Sequence, residues 1–306
     1  MVNNLENILS GGFHTWSRNI NIAVPLIINE LIQLFILILS LAIGMLMLLG
    51  VNSAEEITLM SEEELASLLM SSSLDKLPAL IIFTILVFGI LLLFDSYFTA
   101  GAIGMGQNAT SIGDTTIHDM LSSGGKNFFN VFLANVLLIL IKFVGVIFVV
   151  PGAFIVRNNM ELMASDQLIA GILLLAVGFR IWMIYLLILD IIFKPVLYII
   201  VIEKIDTVEG IVQGFRFFME NKLSIFFIWL FIFLISIIVN IIFYFISYII
   251  SFAGIQELDF AWSFGSQLLI ILTLQPLIIL WWTRLYMVRT GKSLYSNELL
   301  TVSWDA

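Results

Sequence analysis

The chain has 306 residues, of which 61% are hydrophobic and only 11% charged, with a formal net charge of -9. Soluble domains carry about 25% charged residues around one core, so this composition excludes a water-soluble globule and makes lipid the solvent. The acidic balance argues against nucleic acid as a partner, and the absence of cysteine excludes disulfides and thiolate chemistry.

The first nineteen residues or so, MVNNLENILSGGFHTWSRN, lack the basic start and short apolar core of a signal peptide. The first hydrophobic segment is therefore expected to remain as a membrane span. Six segments reach the length of about 20 apolar residues that a bilayer crossing needs: 20–49, 77–98, 128–150, 167–193, 223–252 and 263–288. Strands are excluded by segment length and by the absence of period-two alternation. Hydrocarbon offers no partner to a peptide group, so the segments must be helices that satisfy their own backbone.

Basic residues crowd one side: Arg18, Lys126, Lys194, Lys204, Arg216, Lys222, Arg284, Arg289 and Lys292. The other side has Lys76 and Arg157, and it carries the acidic residues Glu55, Glu56, Glu62, Glu63, Glu64, Asp75, Glu161, Asp166, Glu257 and Asp259. By the positive-inside rule both termini are expected in the cytoplasm of a multi-pass cell-membrane protein. The longest outer loop, 51–76, has helix-start signals at Ser53 and Ser61 and reads as an acidic, partly helical cap.

Three stretches share one design. In 206–222, Asp206 is an N-cap with Glu209 placed to reach back, and Val208, Ile211, Val212 and Phe215 fall on one face. Near the N-terminus, Leu5, Ile8 and Leu9 repeat that face, and Gly12, Phe13, Trp16 and Asn19 match Gly214, Phe215, Phe218 and Asn221. A weaker copy runs through Thr115, Ile117, Met120, Leu121, Gly124, Gly125, Phe128 and Phe129. Asp95 and Asp190 hold matching places near the ends of the second and fourth spans.

The expected fold is thus an all-α integral membrane protein with six transmembrane helices arranged as three helix-pair repeats. Each pair is preceded by a cytoplasmic interfacial amphipathic helix. The whole chain, 1–306, forms a single membrane domain with units of roughly 1–106, 107–201 and 202–306.

Some stretches are similar to a known group. Lys194-Pro195, then IVIEK at 200–204 and TVEGIVQGFRFFMENK at 207–222, resemble the helix after the fourth span in a six-helix membrane family. TAGAIGMGQNA at 99–109 with Thr110-Ser111 resembles that family's segment after the second span. The family is related to the membrane domain of some glycerophosphodiester phosphodiesterases. The resemblance implies the six-helix layout and no hydrolase activity, because no hydrolase domain is present.

No catalytic motif stands out. His14 and His118 are the only histidines, there is no His-Glu-x-x-His or Gly-x-Ser-x-Gly pattern, and no enzyme activity, cofactor or metal is expected. Gly104-x-Gly106-x-x-Ala109 follows no strand, so helix packing through Ala100, Ala102, Gly104 and Gly106 is its reading.

What remains is charge within the spans. Lys142, Arg180 and Glu30 lie deep, and Asp95 and Asp190 shallower; Asn29, Gln33, Asn135, Asn240 and Gln275 are polar neighbours. A charge at the bilayer centre costs about 2.5–3.5 kcal/mol, so Lys142 and Arg180 are expected to be paired by Glu30, Asp95 or Asp190. Glu30 is the expected partner of Arg180, which cannot shed its proton. Two functions follow: a permease-like or lipid- and amphiphile-handling protein with a cavity lined by this cluster, or a scaffold or accessory subunit of a complex. Membrane lipids are the expected partners of both, with a protein partner or homo-oligomer in the second.

Overall fold

The computed structural model describes residues 2–49, 62–158, 166–252 and 254–295, and among these no strand occurs. The helices are α1 (Val2–Arg18), α2 (Ala23–Leu49), α3 (Glu62–Ser111), α4 (Ile117–Val144) and α5 (Val150–Asn158). They continue with α6 (Asp166–Phe193), α7 (Val196–Glu203), α8 (Thr207–Phe252), α9 (Gln256–Leu269) and α10 (Gln275–Arg289). Six helical stretches are long and apolar enough to cross a bilayer: Ile20–Leu48, Lys76–Ser111, Ile117–Phe148, Asp166–Glu203, Thr207–Phe252 and Glu257–Arg289. The first part of the acidic loop, including Ser53 and Ser61, lies outside the described residues; from Glu62 the chain is helical.

The second span is longer than expected. It continues past Phe98 to Ser111 because Ala100, Gly101, Ala102 and Gly104 let α4 approach closely. A Cβ on Gly104 would collide with Ser123, and one on Gly101 would stand 2.8 Å from Met120 Cγ. Asp95 therefore lies sixteen residues, or about 24 Å, from the end of its helix rather than near it. Asp190 keeps its expected place, three residues before the end of α6, and α7 follows after a break at Lys194 and Pro195. Pro195 has no N–H to give the preceding turn, which is why the helix interrupts there.

Local caps decide where α4 and α8 begin. Thr116, rather than Thr115, caps α4: its hydroxyl accepts from Asp119 N while the Asp119 carboxylate accepts from Thr116 N at 2.8 Å. At α8, Asp206 accepts from Glu209 N at 2.9 Å, but the Glu209 carboxylate turns to Gln213 and does not return to the cap. Two asparagines then break the helical path. Asn19 (φ -126°, ψ 57°) separates α1 from the first span, and Asn221 (φ -122°, ψ 26°) kinks α8. Each donates its side-chain amide to the carbonyl four residues back, Thr15 at 3.0 Å and Phe217 at 3.1 Å. In α4 the corresponding position is Val131, and that helix runs through without a break.

The short stretches ahead of these breaks dock by glycine. Gly11 and Gly12 of α1 lie under Arg284 and Trp281 of α10, and Gly210 and Gly214 of α8 lie under Ile200 and Val196 of α7. Gly124 near the start of α4 sits against Tyr97 of α3. The buried core joins these docked ends, with Ile8, Ile103, Ile199, Ile200, Ile225, Trp282 and Leu285 nearly free of exposure. Most outward-facing apolar side chains of α2, α6 and α8 stay exposed, as lipid-facing surfaces do.

Candidate functional site

The docking contacts give one register on two helices and a register shifted by four residues on the third, where Gly124, the counterpart of Gly12 and Gly214, meets Tyr97, only two residues after Asp95. Six residues after Asp95 comes Gly101, six after Asp190 comes Val196, and six after Gln275 comes Trp281. All three sixth positions bear docked stretches: Met120 of α4 on Gly101, Gly214 of α8 on Val196, and Gly12 of α1 on Trp281. Counting only four residues on from the same starts gives Thr99, Lys194 and Ile279. Those three side chains converge on one cavity of about 300 Å³.

The cavity is walled by Thr99 and Ile103 of α3, Asn135, Leu138 and Lys142 of α4, and Leu189, Asp190 and Phe193 of α6. Lys194, Leu197 and Tyr198 at the α6–α7 break and Ile279 of α10 close it. Two ammonium groups thus face it with one carboxylate. No ion pair within 4.0 Å joins Lys142 or Lys194 to Asp190; among the described residues the ion pair is Lys292–Glu203, elsewhere in the fold. Asp190 is held instead by the indole of Trp229, which donates to its Oδ2 at 3.3 Å. Asn135 donates to Ser96 Oγ at 3.2 Å, fixing α4 against α3 beside the cavity. A second, largely apolar void is bounded by Lys142, Met183, Ile184, Leu186, Leu187 and Asp190. The same charged pair walls both, so Lys142 and Asp190 stand between the cavity of mixed polarity and the largely apolar groove.

The five cluster residues read from the sequence are not brought together. Lys142 and Asp190 share the cavity. Asp95 is half-buried nearby and accepts from Asn29 Nδ2 at 3.1 Å. Glu30 and Arg180 are exposed on α2 and α6, and neither makes an ion pair or hydrogen bond among the described residues. The expected Arg180–Glu30 pair is corrected accordingly: Arg180 turns to the outer face of α6, while Glu30 turns to a groove against α9. Lys194 is also moved, from a surface cation to a cavity wall, because α7 carries the span beyond it. Tyr198, Thr99 and Trp229 escaped a search for charge. Gln275, read from the sequence as a polar neighbour, is not among the residues that wall this cavity.

Among the described residues no three His, Asp or Glu side chains gather as metal ligands would. The family described as Domain of unknown function (DUF7847) matches residues 4–286. Kinship with the membrane domain of glycerophosphodiester phosphodiesterases is not among these findings. No curated protein and no solved structure matches the chain.

Proposed function

The chain belongs to the DUF7847 family, and from that premise we propose that it is a lipid- or amphiphile-handling membrane protein whose central cavity receives an anionic group. One observation carries the reading: among the described residues, Lys142 and Lys194 face the cavity with Asp190 as the one carboxylate in its wall, and neither lysine is neutralised by an ion pair there. Both lysines are half-buried, and an ammonium partly withdrawn from water gains by meeting an anion. A phosphate- or carboxylate-bearing head would satisfy both lysines, with Asn135 and Tyr198 as further hydrogen-bonding groups. The groove beyond Lys142 and Asp190 gives an attached apolar chain a way to lipid.

The proposal includes three helix-pair units, 1–106, 107–201 and 202–306, around a pseudo-threefold axis normal to the membrane. It is supported by the shared register from Asp190 and Gln275, and by the cyclic docking of each amphipathic stretch on the preceding unit. Units inserted with one orientation relate about such an axis. The cavity then sits on the axis, and both termini lie in the cytoplasm of a cell-membrane protein.

Native mass spectrometry of the detergent-purified protein tests this. A phospholipid with an anionic head should be retained over a neutral diacylglycerol with the same chains, and Lys142→Gln with Lys194→Gln should weaken that retention about tenfold, equal to roughly 1.4 kcal/mol. Displacement by inorganic phosphate would assign the site to a small free anion and a permease. Equal retention of both lipids by both proteins would overturn the reading and leave the scaffold or accessory-subunit function.

A further inference from the structure

A third void of about 250 Å³ lies between α2 and the helix formed by α9 and α10, away from the cavity walled by Lys142 and Lys194. Its walls are apolar, with Leu34, Phe264 and Ile271 among them, and its polar groups are Glu30, Gln33 and Gln267. Glu30 is ten residues into the first span, about 15 Å from its start, and makes no ion pair or hydrogen bond among the described residues. A carboxylate at that depth is costly in hydrocarbon and marks a functional position in the absence of an internal partner.

The helix opposite is irregular at the same place. Residues Ile270–Leu274 form a π-helical turn, and Ile271 within it lines the void. Such turns recur at functional sites because the wider path shifts side chains and loosens the ladder of carbonyls. Here the turn is braced from below, where the Trp16 indole donates to Leu272 O at 3.1 Å. The groove is therefore shaped by a defined backbone feature and carries one carboxyl group at its side, without a partner among the described residues.

We propose that this groove binds a lipophilic cation, a molecule with an apolar body and one quaternary or protonated ammonium, or a phosphonium. Charge complementarity with Glu30 selects the cation, and the apolar walls select the body. Gln33 and Gln267 have only dipoles to offer, so the carboxylate sets the sign. Arg180 of a second copy is a poorer occupant. Trp182 and Tyr185 of α6 bond to carbonyls of Lys142 and Ile141, while Asn135 bonds to Ser96 beside Asp95 and Asn29. These bonds place Arg180 several turns further along the bundle than Glu30.

The test uses the full chain in maltoside micelles and two ions of matching shape and opposite charge, tetraphenylphosphonium and tetraphenylborate. Equilibrium dialysis should find saturable binding of the phosphonium alone, weakened about tenfold or more in Glu30→Gln. In the unaltered protein, dicyclohexylcarbodiimide should modify Glu30, and saturating phosphonium should slow that modification several-fold while the borate leaves it unchanged. Equal binding of both ions, unchanged binding by Glu30→Gln, or labelling of Glu30 at the same rate with and without the phosphonium would each overturn the proposal. In those outcomes the groove holds acyl chains by shape alone.

Discussion

Trp281 donates its indole N–H to the carbonyl of Leu9 at 3.1 Å and lays its ring against Gly12. The contact ties the first helix to the last, and it exists because Gly12 presents no Cβ where the ring must lie. A valine there has to displace a large side chain from a packed site, at a cost of about 1–3 kcal/mol. Gly12→Val is expected to lower the midpoint of thermal unfolding in micelles accordingly. Gly125 provides the control, since it sits in a helix with open space where a Cβ would go. Gly125→Ala should be neutral or stabilising by about 0.5–1 kcal/mol. If both changes behaved alike, the docking of α1 on α10 would not depend on that close approach.

Arg180→Leu is expected to leave the midpoint unchanged or raise it. The guanidinium is exposed on α6 and bonds to no described residue, so no buried carboxylate is orphaned by its removal. Surface changes of that kind fall within about 0.5 kcal/mol. Leucine also avoids the cost of a charge in lipid. A fall of more than about 1 kcal/mol in monodisperse protein would show that Arg180 meets an acceptor after all.

The six spans were legible in the sequence because a run of about 20 apolar residues has few other meanings. Facing was not legible. In a chain where every side of a helix is apolar, the 3.6 period that separates core from surface in a soluble helix disappears. Glu30 and Arg180 could thus be placed in depth but not in direction. The extent of span two was also hidden: Ala100, Ala102, Gly104 and Gly106 read as a helix-packing run, but their apolar stretch is broken by small residues after Phe98 and nothing in the sequence joins them to the span. Lys142 and Asp190 were found by charge alone. Lys194 was misread because Pro195 looked like an end when it was an interruption.

Orientation can be checked by chemistry at two positions. Single cysteines in place of Ser61 and Ser293 should react with a membrane-impermeant maleimide from opposite sides, Ser293 on the cytoplasmic side with Arg289 and Lys292. The native chain has no cysteine, so the background is nil. Reaction of both from the same side would overturn the six-span topology, and reaction from opposite sides with Ser293 outside would reverse the assignment of the loops and of the termini.

Glu203, at the end of α7, gathers two partners from the far end of the chain. Tyr286 donates its hydroxyl to Oε1, and Lys292 Nζ lies 3.1 Å from both carboxylate oxygens. The two contacts differ in kind. Lys292 and Glu203 keep 32% and 27% of their side-chain exposure, so water and salt screen the ion pair, which places it at about 0–1 kcal/mol. Tyr286 is buried, with its ring 5.0 Å from that of Phe217, and its hydroxyl would be left without an acceptor if Glu203 became apolar. An orphaned buried donor costs about 1–3 kcal/mol. Glu203→Gln keeps an oxygen for Tyr286 and removes only the charge, so it should cost under about 1 kcal/mol, and the loss should fade as salt is raised. Glu203→Leu should cost more and keep its cost at high salt, while Tyr286→Phe combined with it should recover most of the difference. Thermal unfolding of the four proteins at low and high salt separates the contributions. Should Glu203→Gln prove as harmful as Glu203→Leu at high salt, the charge rather than the tyrosine hydrogen bond joins α7 to the end of α10.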